Sequence, residues 1–300
     1  MNGDELEALE TSVDDLAFAY PGTPPGELLG RVRLRLSSVG TLLDARMTLA
    51  ERRRLFVVGG WLSLLAATCA IDLHQRSAAK ARLRAAAALA EHTDHPEISA
   101  WCLETEAWQA VTDYRRAVEL AQGAQRIAPR NGSAFIQATA QEGRAWARLG
   151  AGAAAREALG RVERLVAPLP QPDRPEHHYR YDPAKSDAYT ATTLAWAGDA
   201  AAVPYARGVL ARLVSGADGP PRPRRAASAR LDLALALVAA GQLDAAAGTA
   251  LEAVVSGRLV PSNHWRAAEI LAAVRNVPEA DDLREAYREL CVPGRDEPLA

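Results

Sequence analysis

The residues of this chain that could do chemistry are few, and their spacing limits what they could do. His92 and His95 share the loop His92-Thr93-Asp94-His95-Pro96, where two imidazoles could ligate a metal. No third His or Cys clusters with them, whereas zinc sites are built from three or four protein ligands, so a solvated turn is the better reading. Cys69, Cys102 and Cys291 are odd in number, far apart and without a C-x-x-C spacing, which supports neither a disulfide framework nor a zinc ribbon. Cys69 and Cys102 fall on apolar helical faces, where Cys serves as a small core residue, and a reducing cytoplasm is the expected location. A hydrolase on a helical scaffold would need two carboxylates across one cleft, one of them holding its proton. Asp14–Asp15 and Asp281–Asp282 are adjacent pairs near the chain ends and read better as helix-surface charge. The sequence contains no P-loop, G-x-S-x-G, H-E-x-x-H or dinucleotide fingerprint. The expectation is a protein that is not an enzyme, with no cofactor and no metal site; a helical-scaffold hydrolase is the remote alternative.

One further constellation is His177-His178-Tyr179-Arg180-Tyr181-Asp182. It lies in a stretch, 168–183, punctuated by Pro168, Pro170, Pro172, Pro175 and Pro183, which cannot be helical. A long aromatic, His-bearing loop inside a helical array is a place for a ligand lid. The plainer reading, and the preferred one, is an ordered insertion whose tyrosines rest on neighbouring helices.

The elements that must position these residues are helical throughout. The chain has 300 residues, 49% of them apolar and only 5% aromatic, and alanine supplies much of the apolar share, which favours helix. A net charge of −2 gives no overall field toward nucleic acid or anionic membrane. Arg31, Arg33 and Arg35 interleave with Leu28, Leu29, Val32 and Leu36 and read as a solvated helix face. No uninterrupted apolar run reaches the roughly 18 residues of a membrane helix. The longest candidate, Leu55 to Ile71, is broken by Gly59, Gly60, Ser63 and Thr68, and the acidic, polar start argues against a signal peptide.

Helices are expected over residues 4–19 and after Thr23, an N-cap before Pro24 and Pro25; Thr48-Leu49-Ala50-Glu51 has capping-box spacing. Asp113, Ser133 and Ser262 are further expected N-caps. From there a pattern recurs: Ala79, Ala117 and Ala155 are each 38 residues apart, a period that means stacked helical hairpins. Aligned on their turns at His74, Thr112, Gly150, Gly198 and Gly241, the units carry a small residue seven positions earlier: Ala67, Thr105, Gly143, Ala191 and Ala234. Four before the turn stand Ala70, Trp108, Trp146, Leu194 and Leu237, mostly large, and five after it Ala79, Ala117, Ala155, Val203 and Ala246, mostly small. Two helices cross closely only where side chains are small, so Trp108 and Trp146 read as wedges beside the crossing. The expected fold is all-α, a right-handed α-solenoid of antiparallel helical hairpins. Residues 1–47 would be N-terminal helices, 48–291 the repeat domain with Pro-rich insertions at 168–183 and 216–223, and 292–300 a frayed tail.

The small residue in the first helix, glycine near the turn, alanine in the second helix and proline at its end make the array similar to tetratricopeptide (TPR) repeats. The unit ending at Pro129 matches best, while Glu104 and Glu142 stand where the motif has Leu. The chain more closely resembles the TPR-like C-terminal region of actinobacterial XRE-type helix-turn-helix transcriptional regulators. Three passages carry that likeness: Val13-Asp14-Asp15-Leu16-Ala17 leading to Thr23-Pro24-Pro25-Gly26-Glu27-Leu28-Leu29; Leu49-Ala50-Glu51-Arg52-Arg53-Arg54-Leu55 leading to Gly59-Gly60-Trp61-Leu62; and Ala85 to Pro96 leading to Trp101. The resemblance spans about Asn2 to Leu290 and implies a regulatory sensor and protein-interaction module. The helix-turn-helix is missing from these residues, so no DNA-reading residue carries over. A sensor module alone or a truncated regulator is expected, with a TPR-like scaffold unrelated to transcription as the alternative.

In such arrays the first helices line the concave groove. Six positions before the turn stand Thr68, Glu106, Arg144 and Thr192, with Trp61, Gln109, Gln137 and Lys185 nearby. These are the groove candidates; Glu106 and Arg144, equivalent in adjacent repeats, either clamp a ligand or pair with each other, the pair being preferred. The expected partner is a protein or peptide, with a small-molecule effector and a homodimer as alternatives. DNA would be reached only through the missing helix-turn-helix, and no membrane partner is expected.

Overall fold

Helix α1 (Gly3–Ala19), α2 (Pro25–Leu43), α3 (Leu49–Asp72), α4 (Arg76–Thr93), α5 (Pro96–Gln109), α6 (Tyr114–Ile127), α7 (Ser133–Arg148) and α8 (Gly152–Val166) are followed by the Pro-rich stretch. After it come α9 (Pro183–Trp196), α10 (Ala202–Ser215), α11 (Pro223–Ala239), α12 (Leu243–Val255), α13 (His264–Ala273) and α14 (Ala280–Leu290). This computed structural model describes residues 3–170, 172, 174, 176–215 and 222–292, and among them every regular element is helical. Residues 293–300 of the expected 292–300 tail, 171, 173 and 175 of the first Pro-rich insertion and 216–221 of the second lie outside the described residues. The chain divides into two units, residues 1–186 and 187–300.

In the first unit consecutive helices pack as neighbours, and α3, α5 and α7 also lie side by side. Helix α3 is its spine. The Thr48 hydroxyl accepts the Glu51 amide at 3.2 Å and the Glu51 carboxylate accepts the Thr48 amide at 2.7 Å, completing the capping box. By length and composition α3 could cross a membrane, which corrects the expectation that no segment is long and apolar enough; glycine and hydroxyl residues do not interrupt the helix. Of its most apolar window, 78% is buried against other helices. Its glycines permit that closeness: a Cβ at Gly60 would lie 3.1 Å from the Ile98 side chain of α5. In the second unit Leu231, Leu237, Ile270 and Leu283 are buried with a series of alanines from α10 to α14.

Four of the five aligned turns share one backbone geometry. His74, Gly150, Gly198 and Gly241 all take left-handed φ angles, 57°, 72°, 63° and 73°. In each turn the next amide bonds back to the carbonyl five residues earlier: Gln75 to Ala70 (2.8 Å), Ala151 to Trp146 (3.0 Å), Asp199 to Leu194 (3.0 Å) and Gln242 to Leu237 (2.9 Å). This is the Schellman arrangement, which satisfies carbonyls left over at a helix end. The acceptors are the residues four before the turn, so one position sets both the wedge and the cap. Thr112 departs from the pattern; there Asp113 caps α6, its carboxylate accepting the Arg116 amide at 3.0 Å. The small residues seven before each turn, Ala67, Thr105, Gly143, Ala191 and Ala234, are all buried. Trp108 and Trp146 are part-buried, and Trp146 packs against the cluster of Ala117, Val118 and Ala145.

Three expected caps move by one residue. Pro24, not Thr23, precedes α2; Gly132, not Ser133, precedes α7; and Asn263, not Ser262, precedes α13. In α2 the proline at the first helical position supplies the φ that a capping hydroxyl would otherwise select.

A Cβ at Gly150 or Gly241 would meet no atom within 4 Å, so substitution there tests backbone strain alone. Gly150→Ala and Gly241→Ala are each expected to lower stability by about 1 kcal/mol, read as a lower urea midpoint at unchanged slope.

Candidate functional site

Residues 176–182 form an irregular strap fastened across four helices of the first unit. Its ends are tied by Asp182, whose carboxylate accepts the Lys185 amide at 2.7 Å and the Glu176 amide at 3.3 Å, opening α9 ahead of Pro183. On α1, the His178 amide donates to the Ala17 carbonyl at 3.2 Å, and Asp14 accepts from His177 (3.1 Å) and Arg180 (2.8 Å). The rings of Phe18 and His177 lie 4.8 Å apart, and those of Tyr20 and His178 4.1 Å. On α7, the Ser133 hydroxyl accepts the Tyr181 amide at 2.9 Å.

At the centre, Tyr179 is buried against Trp61 of α3 (5.1 Å between centroids) and Trp101 of α5 (5.3 Å). Its hydroxyl lies 3.3 Å from the Thr68 oxygen; the Thr68 proton goes to the Leu64 carbonyl at 3.1 Å, so Tyr179 is the donor. Burial pushes the Tyr179 phenol far above its ordinary range, and it stays protonated. The insertion therefore packs the Tyr179 ring on α3 and α5.

Three of the groove candidates gather around this strap. Thr68 receives Tyr179. Lys185 gathers the strap backbone, its ammonium donating to the His178 carbonyl at 2.7 Å and the Arg180 carbonyl at 3.4 Å, and lies 5.7 Å from the Trp101 ring centre. Gln137 donates to the buried carboxylate of Glu104 at 2.8 Å. Desolvation raises the Glu104 pKa, opposed by that hydrogen bond and by the charges of Lys185 and Arg144. Arg144 is itself buried, its guanidinium 3.4 Å from the Gln141 side-chain oxygen. Glu106, at the same distance before the preceding turn, is exposed. Gln109 ends α5 half-buried. Thr192 belongs to the second unit, where it is buried and bonds to the Ala188 carbonyl at 3.0 Å.

Beside the strap lies a cavity of about 400 Å³. Helix α1 contributes Glu10, Val13 and Asp14 to its wall, and α3 contributes Val57, Val58 and Trp61. Glu97 of α5 and Ser133 of α7 join them, and His177, Tyr179 and Arg180 close the strap side. Glu10 is held below the usual carboxylate range chiefly by its hydrogen bonds from Arg54 (2.8 and 2.6 Å). Glu97 accepts the Ala134 amide at 2.9 Å, at the start of α7 where a helix end favours negative charge. Burial, then the Arg180 charge, lowers the His177 pKa to about 4, against the opposing pull of Asp14. The hydrogen bonds agree with a neutral ring: Nδ1 accepts the Tyr179 amide at 3.2 Å, leaving Nε2 to donate to Asp14.

The remaining chemistry-bearing residues have structural work. His95 Nδ1 accepts the Ile98 amide at 3.3 Å and so caps α5, while His92 is exposed. Burial pushes the Cys102 thiol up to about 12, so it stays protonated. Among the described residues no group of three or more His, Cys, Asp or Glu side chains could hold a metal ion. Comparison of the chain with protein-family models, curated proteins and solved structures returned no match. Glu97 and Ser133 were not singled out as site residues from the sequence: a lone glutamate after a proline and a serine before an apolar run both read as helix starts.

Tyr179→Phe is expected to cost about 1 kcal/mol, the worth of one hydrogen bond. Tyr179→Ala is expected to cost about 3–5 kcal/mol through the void left between two tryptophans; equal losses in thermal unfolding would contradict the seating. The lowered His177 pKa means the unfolded chain binds its proton more readily. Its contribution is thus present above pH 6.5 and is lost as pH falls toward about 4. Amide exchange within 176–182 is expected to speed up across that window beyond its intrinsic pH dependence, and His177→Gln to remove the step.

Proposed function

We propose that this chain is the regulatory sensor and protein-interaction module of a transcriptional regulator, a non-enzymatic right-handed TPR-like solenoid that receives a peptide, protein or small ligand. The hairpin reading is supported by the Schellman turns recurring at equivalent positions and by the burial of the small residues seven before each turn. The likeness to the C-terminal region of XRE-type regulators supplies the regulatory part, with DNA contacted by a helix-turn-helix outside these residues.

The binding face in this reading is that of α3, α5 and α7 in the first unit. The observation that carries it is the strap: an irregular aromatic segment held on this face by side-chain and backbone hydrogen bonds, with about 400 Å³ left beside it. A pocket of this size, with apolar walls and a few convergent polar groups, is what small ligands and anchoring side chains occupy. Thr68 and Lys185 hold the strap in place, Gln137 bonds the buried Glu104, Arg144 is buried on α7, and Glu106 and Gln109 stand toward the α5 end.

Val57 lines the cavity and is half-buried, so a larger ring there can turn into the empty space. The chain purified from its native cells is expected to carry a bound molecule, identified by mass spectrometry, that Val57→Trp loses while keeping its helical circular dichroism. The same bound set on both proteins would remove the cavity as the site.

A further inference from the structure

The walls of the cavity specify more than its size. Trp61 and Tyr179 present two aromatic rings side by side, 5.1 Å between centroids and tilted by 45°. Val13, Val57 and Val58 make the adjoining surface apolar. Onto this surface open three carboxylates, Glu10, Asp14 and Glu97, against one permanent cation, Arg180. His177 also lines the space but is neutral at pH 7, because burial and the Arg180 charge hold its pKa at about 4. The one lining cation is already engaged by Asp14 at 2.8 Å, and Glu10 is neutralised from outside the cavity by Arg54. Glu97 differs: one carboxylate oxygen accepts the Ala134 amide, and among the described residues no basic side chain forms an ion pair with it. The wall therefore carries an excess of negative charge beside two aromatic side chains.

We infer that this cavity binds an organic cation, an alkyl ammonium or guanidinium group whose charge meets Glu97 and whose stem lies along Trp61, Tyr179 and the valines. Rings attract cations through their quadrupole, and the attraction grows as water is excluded. A carboxylate adds direction through charge-assisted hydrogen bonds. An anion would face three carboxylates, and a bare metal ion would lack converging ligands, since no group of three donors suited to one is present among the described residues. The same cation chemistry can come from a free amine or from a lysine or arginine side chain of a partner peptide. This assignment rests on the binding reading proposed above and names its ligand class.

The test titrates the full chain with two guanidinium probes by calorimetry, following tryptophan fluorescence in parallel. Agmatine stands for a free small molecule, and a blocked Gly-Arg-Gly tripeptide for a partner side chain. Neutral controls carry a ureido group in place of the guanidinium. At least one guanidinium probe is expected to bind saturably, one to one, and about tenfold or more tightly than its ureido control. Glu97→Gln keeps an acceptor for the Ala134 amide and is expected to weaken that binding about tenfold, with the helical circular dichroism kept. Trp61→Leu, checked for folding by circular dichroism, is expected to weaken it too. Tighter binding of agmatine than of the tripeptide assigns a free amine, and the reverse assigns a partner side chain. The inference is overturned if neither guanidinium probe saturates, if a ureido control binds as well, or if Glu97→Gln binds unchanged. A neutral or anionic molecule lost from Val57→Trp would also overturn the cation class while leaving the cavity as the binding site.

Discussion

The first unit depends on one ring from outside its regular helices. Tyr179 fills the space that α3 and α5 leave between Trp61 and Trp101, and its hydroxyl finds a partner in Thr68. An aromatic side chain brings a large buried area together with edge-to-face contacts worth about 0.5–1.5 kcal/mol per pair beyond that area. The backbone carrying it belongs to no helix and must have its polar groups satisfied singly. Lys185, Ser133 and the Ala17 carbonyl do this, each from a different helix. Loosening any of these weakens the placement of the ring, and with it one wall of the cavity.

The same unit shows how partners decide the fate of a buried carboxylate. Glu104 and Glu142 occupy equivalent places, eight residues before successive turns, and both are buried. At Glu104 desolvation prevails over one hydrogen bond from Gln137 and two more distant cations, so its proton is held more tightly than usual. At Glu142 desolvation is overcome by donors from Gln125, Gln122 and Trp146 and by the Arg161 guanidinium at 2.6 Å, and the pKa falls. One repeat position thus hosts opposite proton affinities, because α6 and α8 supply donors around Glu142 that Glu104 does not have.

Much of the helical framework was legible in the sequence because it rests on local signals. The proline and glycine breaks, the capping box at Thr48 and the alignment of turns from His74 to Gly241 each depend on residues a few positions apart. Even the non-glycine turn at His74 follows from register, since the residues around it match those around Gly150. The site was less legible, because its contacts join residues more than 100 positions apart, as between Thr68 and Tyr179. Distance from the turns put Thr68 and Lys185 among the groove candidates, but it could not say that the strap would meet them. Ser133 looked like a cap because serine before an apolar run has that role; here its hydroxyl serves Tyr181. Glu106 and Arg144 share a repeat position, yet one is exposed and the other buried, since neighbouring units do not present equal surroundings.

The strap's attachment to α1 also imposes an order in time. His177 and Asp14 are 163 residues apart in sequence. At roughly 5–20 residues per second, synthesis leaves α1 without that partner for about 10–30 s. The neighbouring helices from α3 to α8 can pack meanwhile, since local contacts form with little loop entropy to overcome. Until residue 182 has emerged, the ribosome holds a nascent unit with Trp61 and Trp101 uncovered, and completion of the first unit is bound to the translation of the opening turn of α9.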